Sequence, residues 1–208
     1  MSKIALLLSL FLSPFLVLGQ NDPQAKKVID AFGQQVKASK GIQANLKLVS
    51  ISSKGRNTGT KSLGLSMRGD KYRLQQGKVD IVCDGKTVYN YDGNKTITKS
   101  PVEEGAQTLS PQKLLAGSYD KDFTYKLVSS KGGFNEIELL PIDKRKNFQK
   151  VNLFFSQATK ALAKARILDK SNNITELVVS SLNLKANLAE SVFVFNRAAY
   201  PKDAEILD

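Results

Sequence analysis

The order of apolar and polar positions divides the chain into helix-like and strand-like stretches. Asp22-Pro23 offers a cap and a first helical residue, and Ala25, Val28, Ile29, Phe32 and Val36 then recur on one face at a helical period. Gly41 is the expected stop. From Ile42 the period falls to two. Leu46 and Leu48 share a face, as do Leu63, Leu65 and Met67, then Tyr72 and Leu74, then Val79, Ile81 and Cys83. Polar clusters punctuate them: 52–59, Arg68-Gly69-Asp70, Gln76-Gly77-Lys78, and Asp84-Gly85 in the two-residue slot of a hairpin that leads into Tyr89 and Tyr91.

The second helical signal is short. Ser110 can cap, Pro111 takes the first position, Leu109 can staple onto Leu114 beside Leu115, and Gly117 ends it. Ser100-Pro101 and Glu103-Glu104-Gly105 read as exposed loop. Strands resume with Phe123, Tyr125 and Leu127, turn at Gly132-Gly133, and run through Ile137 and Leu139 to Pro141, then Val151, Leu153 and Phe155. The Ala/Lys-rich stretch 158–168 favours helix by propensity, but its place between strands and before the turn 169–173 makes its second half a strand. Leu177 to Leu188 and Val192 to Phe195 are expected to close the sheet. The pattern predicts a mainly β fold: an incomplete antiparallel barrel, or curved sheet, with an N-terminal amphipathic helix and a short second helix.

The start of the chain has a different character. Lys3 precedes an apolar run from Ile4 to Leu18 broken by Pro14, with cleavage expected before Gln20. A run of about 15 residues falls short of the roughly 20 that span a bilayer. Residues 1–19 therefore read as an export signal, and 20–208 as one exported domain expected to act as a monomer. The single Cys83 excludes an internal disulfide and a Cys-based zinc cluster, and reads as a buried thiol.

The 31 Lys and Arg outnumber 19 Asp and Glu, giving a net charge of +12, with one local cluster at Lys144-Arg145-Lys146 and Lys150. Export and the lack of a nucleic-acid motif turn this charge away from nucleic acid. Anionic headgroups, an acidic partner surface and plain solvation remain. No histidine is present, so there is no histidine base, Ser-His pair or histidine metal site. Glu103-Glu104 reads as a solvated patch and Arg68-Gly69-Asp70 as a turn. No catalysis, metal or cofactor is expected.

Several motifs, in this order and spacing, resemble the LolA family of periplasmic lipoprotein carriers. They are Arg68 before its turn, Tyr72 on an aromatic strand, Asp84-Gly85-Lys86-Thr87 with Tyr89 and Tyr91, and Leu139-Leu140-Pro141. Asp169 with Asn172-Asn173 and Ile174, and Phe193-Val194-Phe195 before Pro201, complete the set. Two features depart from the family: Gly69 stands where Pro is usual, and the chain has no Trp.

The resemblance implies an apolar cavity on the concave face of the sheet beneath a helical lid. Its candidate lining is Leu46, Leu48, Leu65, Met67, Tyr72, Leu74, Ile81, Tyr89, Tyr91, Ile137, Leu139, Val151 and Leu153. Arg68 would control the lid by bonding to its backbone, with Leu114 and Leu115 on the lid itself. The implied partners are acylated lipoproteins, an inner-membrane release complex and an outer-membrane acceptor. A lipid-binding sensor or regulator on the same scaffold is the alternative. The acceptor of the pathway normally carries a lipidated Cys after its leader, and none follows here.

Overall fold

The structure, a computed structural model, describes residues 21–102 and 109–208. The expected leader and Glu103-Glu104-Gly105 lie outside them. In chain order the elements are α1 (Pro23–Ala38), β1 (Ile42–Ile51), β2 (Asn57–Arg68), β3 (Lys71–Gln76), β4 (Val79–Cys83), β5 (Thr87–Tyr91), β6 (Thr96–Pro101), α2 (Pro111–Leu115), β7 (Phe123–Ser129), β8 (Phe134–Pro141), β9 (Phe148–Ser156), β10 (Leu162–Asp169) and β11 (Ile174–Asn183). Two 3-10 turns (Glu190–Phe193 and Arg197–Ala199) and β12 (Glu205–Leu207) follow. The fold is mainly β: one open, curved sheet in the order β12-β6-β5-β4-β3-β2-β1-β11-β10-β9-β8-β7.

Helix α1 begins as its sequence dictates. Asp22 Oδ1 accepts from Gln24 N at 2.8 Å, and Pro23 needs no donor at the first position. The same residue ties the helix to the sheet. Asp22 Oδ2 accepts from Leu127 N at 2.8 Å, Asp22 N donates to Tyr125 O at 3.1 Å, and Asn21 Oδ1 accepts from Tyr125 N at 2.9 Å. These bonds occupy the otherwise open edge of β7. The helix stops at Ala38, before Gly41. Gly41 answers a different need: a Cβ there would stand 2.5 Å from Ala186 O, where the returning chain crosses it.

Register fixes which side chains share the inner face, because directly paired residues of antiparallel strands point the same way. Leu65 pairs with Ala44 and Leu74, and Leu74 with Ile81. On the other half, Leu48 pairs with Leu177, Leu177 with Ala165, Ala165 with Leu153, Leu153 with Ile137, and Ile137 with Leu127. A bulge beside Leu46, which pairs with Val179 while Asn45 pairs with Ser181, holds the two halves in phase.

Four local expectations differ. The β4–β5 hairpin turns on Gly85-Lys86, one residue later than Asp84-Gly85. Asp84 instead caps it, its Oδ1 accepting from the backbone N–H groups of Lys86 and Thr87 at 2.8 Å, while Gly85 takes a φ of +97°. Ser100-Pro101 ends strand β6 instead of lying in a loop. Strand β11 stops at Asn183, and 192–195 is no strand. There Phe193 closes a 3-10 turn, and the sheet edge is made by β12, which pairs parallel to β6. Gly69 opens the β2–β3 turn at φ +57°, a conformation closed to proline, which accounts for the absence of Pro there.

Candidate functional site

The inner face is a continuous apolar floor. Leu46, Leu65, Met67, Leu74, Ile137, Leu139, Val151 and Leu153 are buried on it, and Leu48, Tyr72 and Ile81 lie half-buried against it. Burial, with the neighbouring Cys83 adding to it, pushes the Tyr72 phenol up to about 12. Cys83 is wholly buried, and burial raises its thiol as well, so it is held as an inert neutral group.

Two helices cover this floor. Along α1, Ala25, Ile29 and Phe32 are buried, with the Phe32 ring 5.6 Å from that of Phe155. Helix α2 places Leu114 and Leu115 in the same cluster, both essentially unexposed. Its hydrogen bonds stay close to home: Leu114 N donates to Ser110 O at 3.2 Å, and the buried Tyr119 hydroxyl donates to Leu114 O at 2.5 Å. Ser110 provides no side-chain cap. Apart from a half-exposed ion pair between Lys113 and Asp122 at 3.5 Å, the hold of α2 on the sheet is the burial of Leu114 and Leu115, each worth about 1.5–3 kcal/mol.

The two helices meet backbone to backbone. A Cβ on Gly33 would lie 2.6 Å from Gly117 O, and one on Gly117 would lie 2.8 Å from Gly33 Cα. Gly117 also has a φ of +68°, which favours glycine. The sequence pattern marks Gly117 as a helix stop and assigns no role to Gly33. A signal for Gly33 does exist: a glycine beside Phe32 on a buried helical stripe costs roughly 1 kcal/mol relative to Ala unless close approach requires it.

A crevice of about 320 Å³ opens where the covers meet the sheet, between Val36, Ile42, Met67, Arg68 and Ala116. A second groove, about 490 Å³, lies on the outer face beside Phe134, Phe154, Lys164 and Val178.

Three predicted site residues lie elsewhere. Tyr89 pairs with Val82 and Tyr91 with Asp80, one residue out of phase with Ile81 and Cys83, so both tyrosines face outward. They belong to a separate apolar cluster with Ile97 and Ala204, where Phe195 stacks on Tyr89 at 4.1 Å and Tyr200 meets Tyr91 edge-on at 5.2 Å. Arg68 is likewise one residue past the inward-facing Met67. Its guanidinium donates to Leu188 O at 3.0 Å, pairs with Glu190, and lies over the Phe193 ring at 5.3 Å. Its partners are on the C-terminal segment and not on α2.

That segment is fastened by a polar network absent from the sequence reading. Arg73 Nε and Nη2 donate to the two carboxylate oxygens of Asp80 at 3.0 and 2.8 Å, and the Tyr200 hydroxyl donates to Asp80 Oδ2 at 2.8 Å. The bonds to Asp80 raise the Arg73 pKa further, and burial followed by the Asp80 bond raises that of Tyr200. Arg197 gathers the carbonyls of Pro201, Lys202 and Ala204 at 2.8 to 3.0 Å. Among the described residues no group of three or more His, Cys, Asp or Glu side chains converges as metal ligands do, and no helix is long and apolar enough to cross a membrane.

Comparison with known proteins gives the family. Residues 66–196 match the family described as outer membrane lipoprotein carrier protein LolA. An outer-membrane lipoprotein carrier protein of Cupriavidus pinatubonensis is 28% identical over 186 residues, covering 86% of this chain and 85% of its own. One from Cupriavidus necator is 25% identical over 202 residues, covering 94% and 93%. Among solved structures, an uncharacterized conserved protein from Thermus thermophilus superposes with a TM-score of 0.57 at 16% identity, over 88% of this chain and 98% of that one, which shows a shared fold.

Proposed function

The chain belongs to the LolA family of outer membrane lipoprotein carrier proteins, and from that premise we propose that it carries acylated proteins across the periplasm by reversible, non-covalent burial of their acyl chains. Residues 1–19 act as the export signal. The carrier collects cargo at an inner-membrane release complex and delivers it to an outer-membrane acceptor, with no covalent chemistry on the cargo.

The observation that supports this reading is the nature of the inner cover. Helix α2 rests on the sheet through Leu114 and Leu115, so an acyl chain that replaces them offers the floor the same apolar chemistry; the polar ties it releases are the Tyr119 hydroxyl on Leu114 O and the Lys113–Asp122 pair. Burying a chain contributes about 0.8 kcal/mol per methylene, on the order of 10 kcal/mol in all. Re-exposing Leu114 and Leu115 costs roughly 3–6 kcal/mol of that. The difference keeps cargo bound yet transferable. The lining proposed is the inward set Leu46, Leu48, Leu65, Met67, Tyr72, Leu74, Ile81, Ile137, Leu139, Val151 and Leu153, with Leu114 and Leu115 as the displaced cover.

The test adds purified mature protein, carrying a photo-crosslinking residue at Leu65 or at Tyr89, to spheroplasts holding a radiolabelled lipoprotein. A soluble complex that cross-links from position 65 and not from 89 is expected. No release, or equal cross-linking from both faces, would overturn the proposal.

A further inference from the structure

Three neighbouring hairpin tips lie at one end of the sheet, opposite the Arg68 turn. They are 52–56 between β1 and β2, 170–173 between β10 and β11, and 142–147 between β8 and β9. Antiparallel register brings them together, since Ile51 pairs with Ile174 and Asp169 with Phe148. Hydrogen bonds then lace one tip to the next. Ser53 N donates to Asn173 Oδ1 at 3.1 Å, Lys170 N to Asn147 O at 3.3 Å, and Lys170 Nζ to Lys144 O at 3.0 Å.

The joined rim presents Lys54, Arg56, Lys144, Arg145 and Lys170, all exposed. Nearby carboxylates are already engaged. Asp169 accepts from the backbone of Ser171 and Asn173 at 2.8 Å, and Asp122 pairs with Lys113 at 3.5 Å; Asp143 pairs with the rim's own Arg145 at 3.0 Å, which leaves Lys54, Arg56, Lys144 and Lys170 as the cations on offer. Lys54 and Arg56 have no ion-pair partner among the described residues. Beside these cations Ile142 is 54% exposed and Leu140 39% exposed.

We propose that this rim docks on the surface of an anionic phospholipid bilayer. Cations spread over three tips suit a lattice of phosphates better than a single acidic point. The exposed Ile142 among them suits a headgroup layer, into which an aliphatic side chain inserts, better than a purely acidic protein face. Positions on three separate loops add their attraction without any of them having to enter a pocket.

The test is co-sedimentation of cargo-free mature protein with phosphatidylethanolamine vesicles, with and without phosphatidylglycerol, at low and high salt. Net charge alone would attract such vesicles, so two triple variants are compared: K54E/R56E/K144E on the rim, and K86E/K185E/K202E away from it. Both are checked by circular dichroism and melting. Each surface cation lost is expected to weaken partitioning about fivefold, and the rim triple about a hundredfold. The control triple should stay within about threefold of wild type. Ile142→Ser should abolish the binding that survives high salt. Binding indifferent to phosphatidylglycerol, a rim variant that binds like wild type, or a control that loses as much as the rim would each overturn the proposal. Because no cargo is present, failure here leaves the carrier reading standing, and the reverse also holds.

Discussion

Both faces of this sheet are covered by segments of its own chain, and the two covers are held in opposite ways. On the inner face, α2 is held to the sheet by Leu114 and Leu115, and it meets α1 through the bare backbones of Gly33 and Gly117. On the outer face, the C-terminal segment is folded on itself by the Arg197 clamp and fastened to the sheet by Arg68 to Leu188 and Glu190 and by the Tyr200 hydroxyl to the Arg73-paired Asp80. An apolar cover can be exchanged for another apolar body at little cost. The outer cover cannot leave without breaking the Arg68–Glu190 pair and taking the Tyr200 hydroxyl from the buried Asp80. The two covers thus differ in the chemistry of their contacts, and the proposed carrier role predicts that the inner one is displaced while the outer one stays.

The largest expected effect comes from hollowing the core between α1 and the inner floor. Phe32→Ala removes a ring that packs on Phe155 and should cost about 3–5 kcal/mol, read by urea denaturation. Asp80→Ala unfastens the outer cover by leaving Arg73 and Tyr200 without their partner, at about 3 kcal/mol. Limited proteolysis should then cut near Arg197 and Lys202, while hydrogen exchange in 111–117 stays as in wild type. Gly33→Ala does the converse. Its methyl group would meet Gly117 O at 2.6 Å, costing about 1–3 kcal/mol and speeding exchange in 111–117 without loosening 190–204.

The smallest effect is a pH dependence at the α1 clip. The backbone N–H groups of Leu127 and Gln24 hold the Asp22 carboxyl below its usual value. A depressed carboxylate stabilises above its unfolded pKa of about 3.9 and loses that contribution as pH falls through the folded value. The gap in melting temperature between wild type and Asp22→Asn should therefore be full at neutral pH and shrink below about pH 4. A gap that widens in acid would refute the assignment.

How much of this was legible in the sequence follows from the range of each signal. Helix α1, the glycine turns and the strand rhythm are local, and residues such as Leu63-x-Leu65-x-Met67 declare their face unaided. Phase across a turn is not local. Tyr89 and Tyr91 keep the period of the inner strands, but the Gly85-Lys86 turn sets them opposite Val82 and Asp80 and so on the outer face. Phe193-Val194-Phe195 carries a strand rhythm, yet the chain has left the sheet at Asn183 and lies across its back. Asp80 and Tyr200 are 120 residues apart, a separation no short-range pattern reports. Arg68 stands out by resemblance. Its position one residue beyond Met67 decides its partners, and they are on the outer cover.

The claim that only the inner cover moves is tested most directly by hydrogen–deuterium exchange on the mature protein, with and without a triacylated lipopeptide. The expected result is fast exchange in 111–117 that changes on loading, with 190–204 protected and unchanged in both states. Lipopeptide-dependent exchange confined to 190–204, or equal changes in both segments, would contradict it.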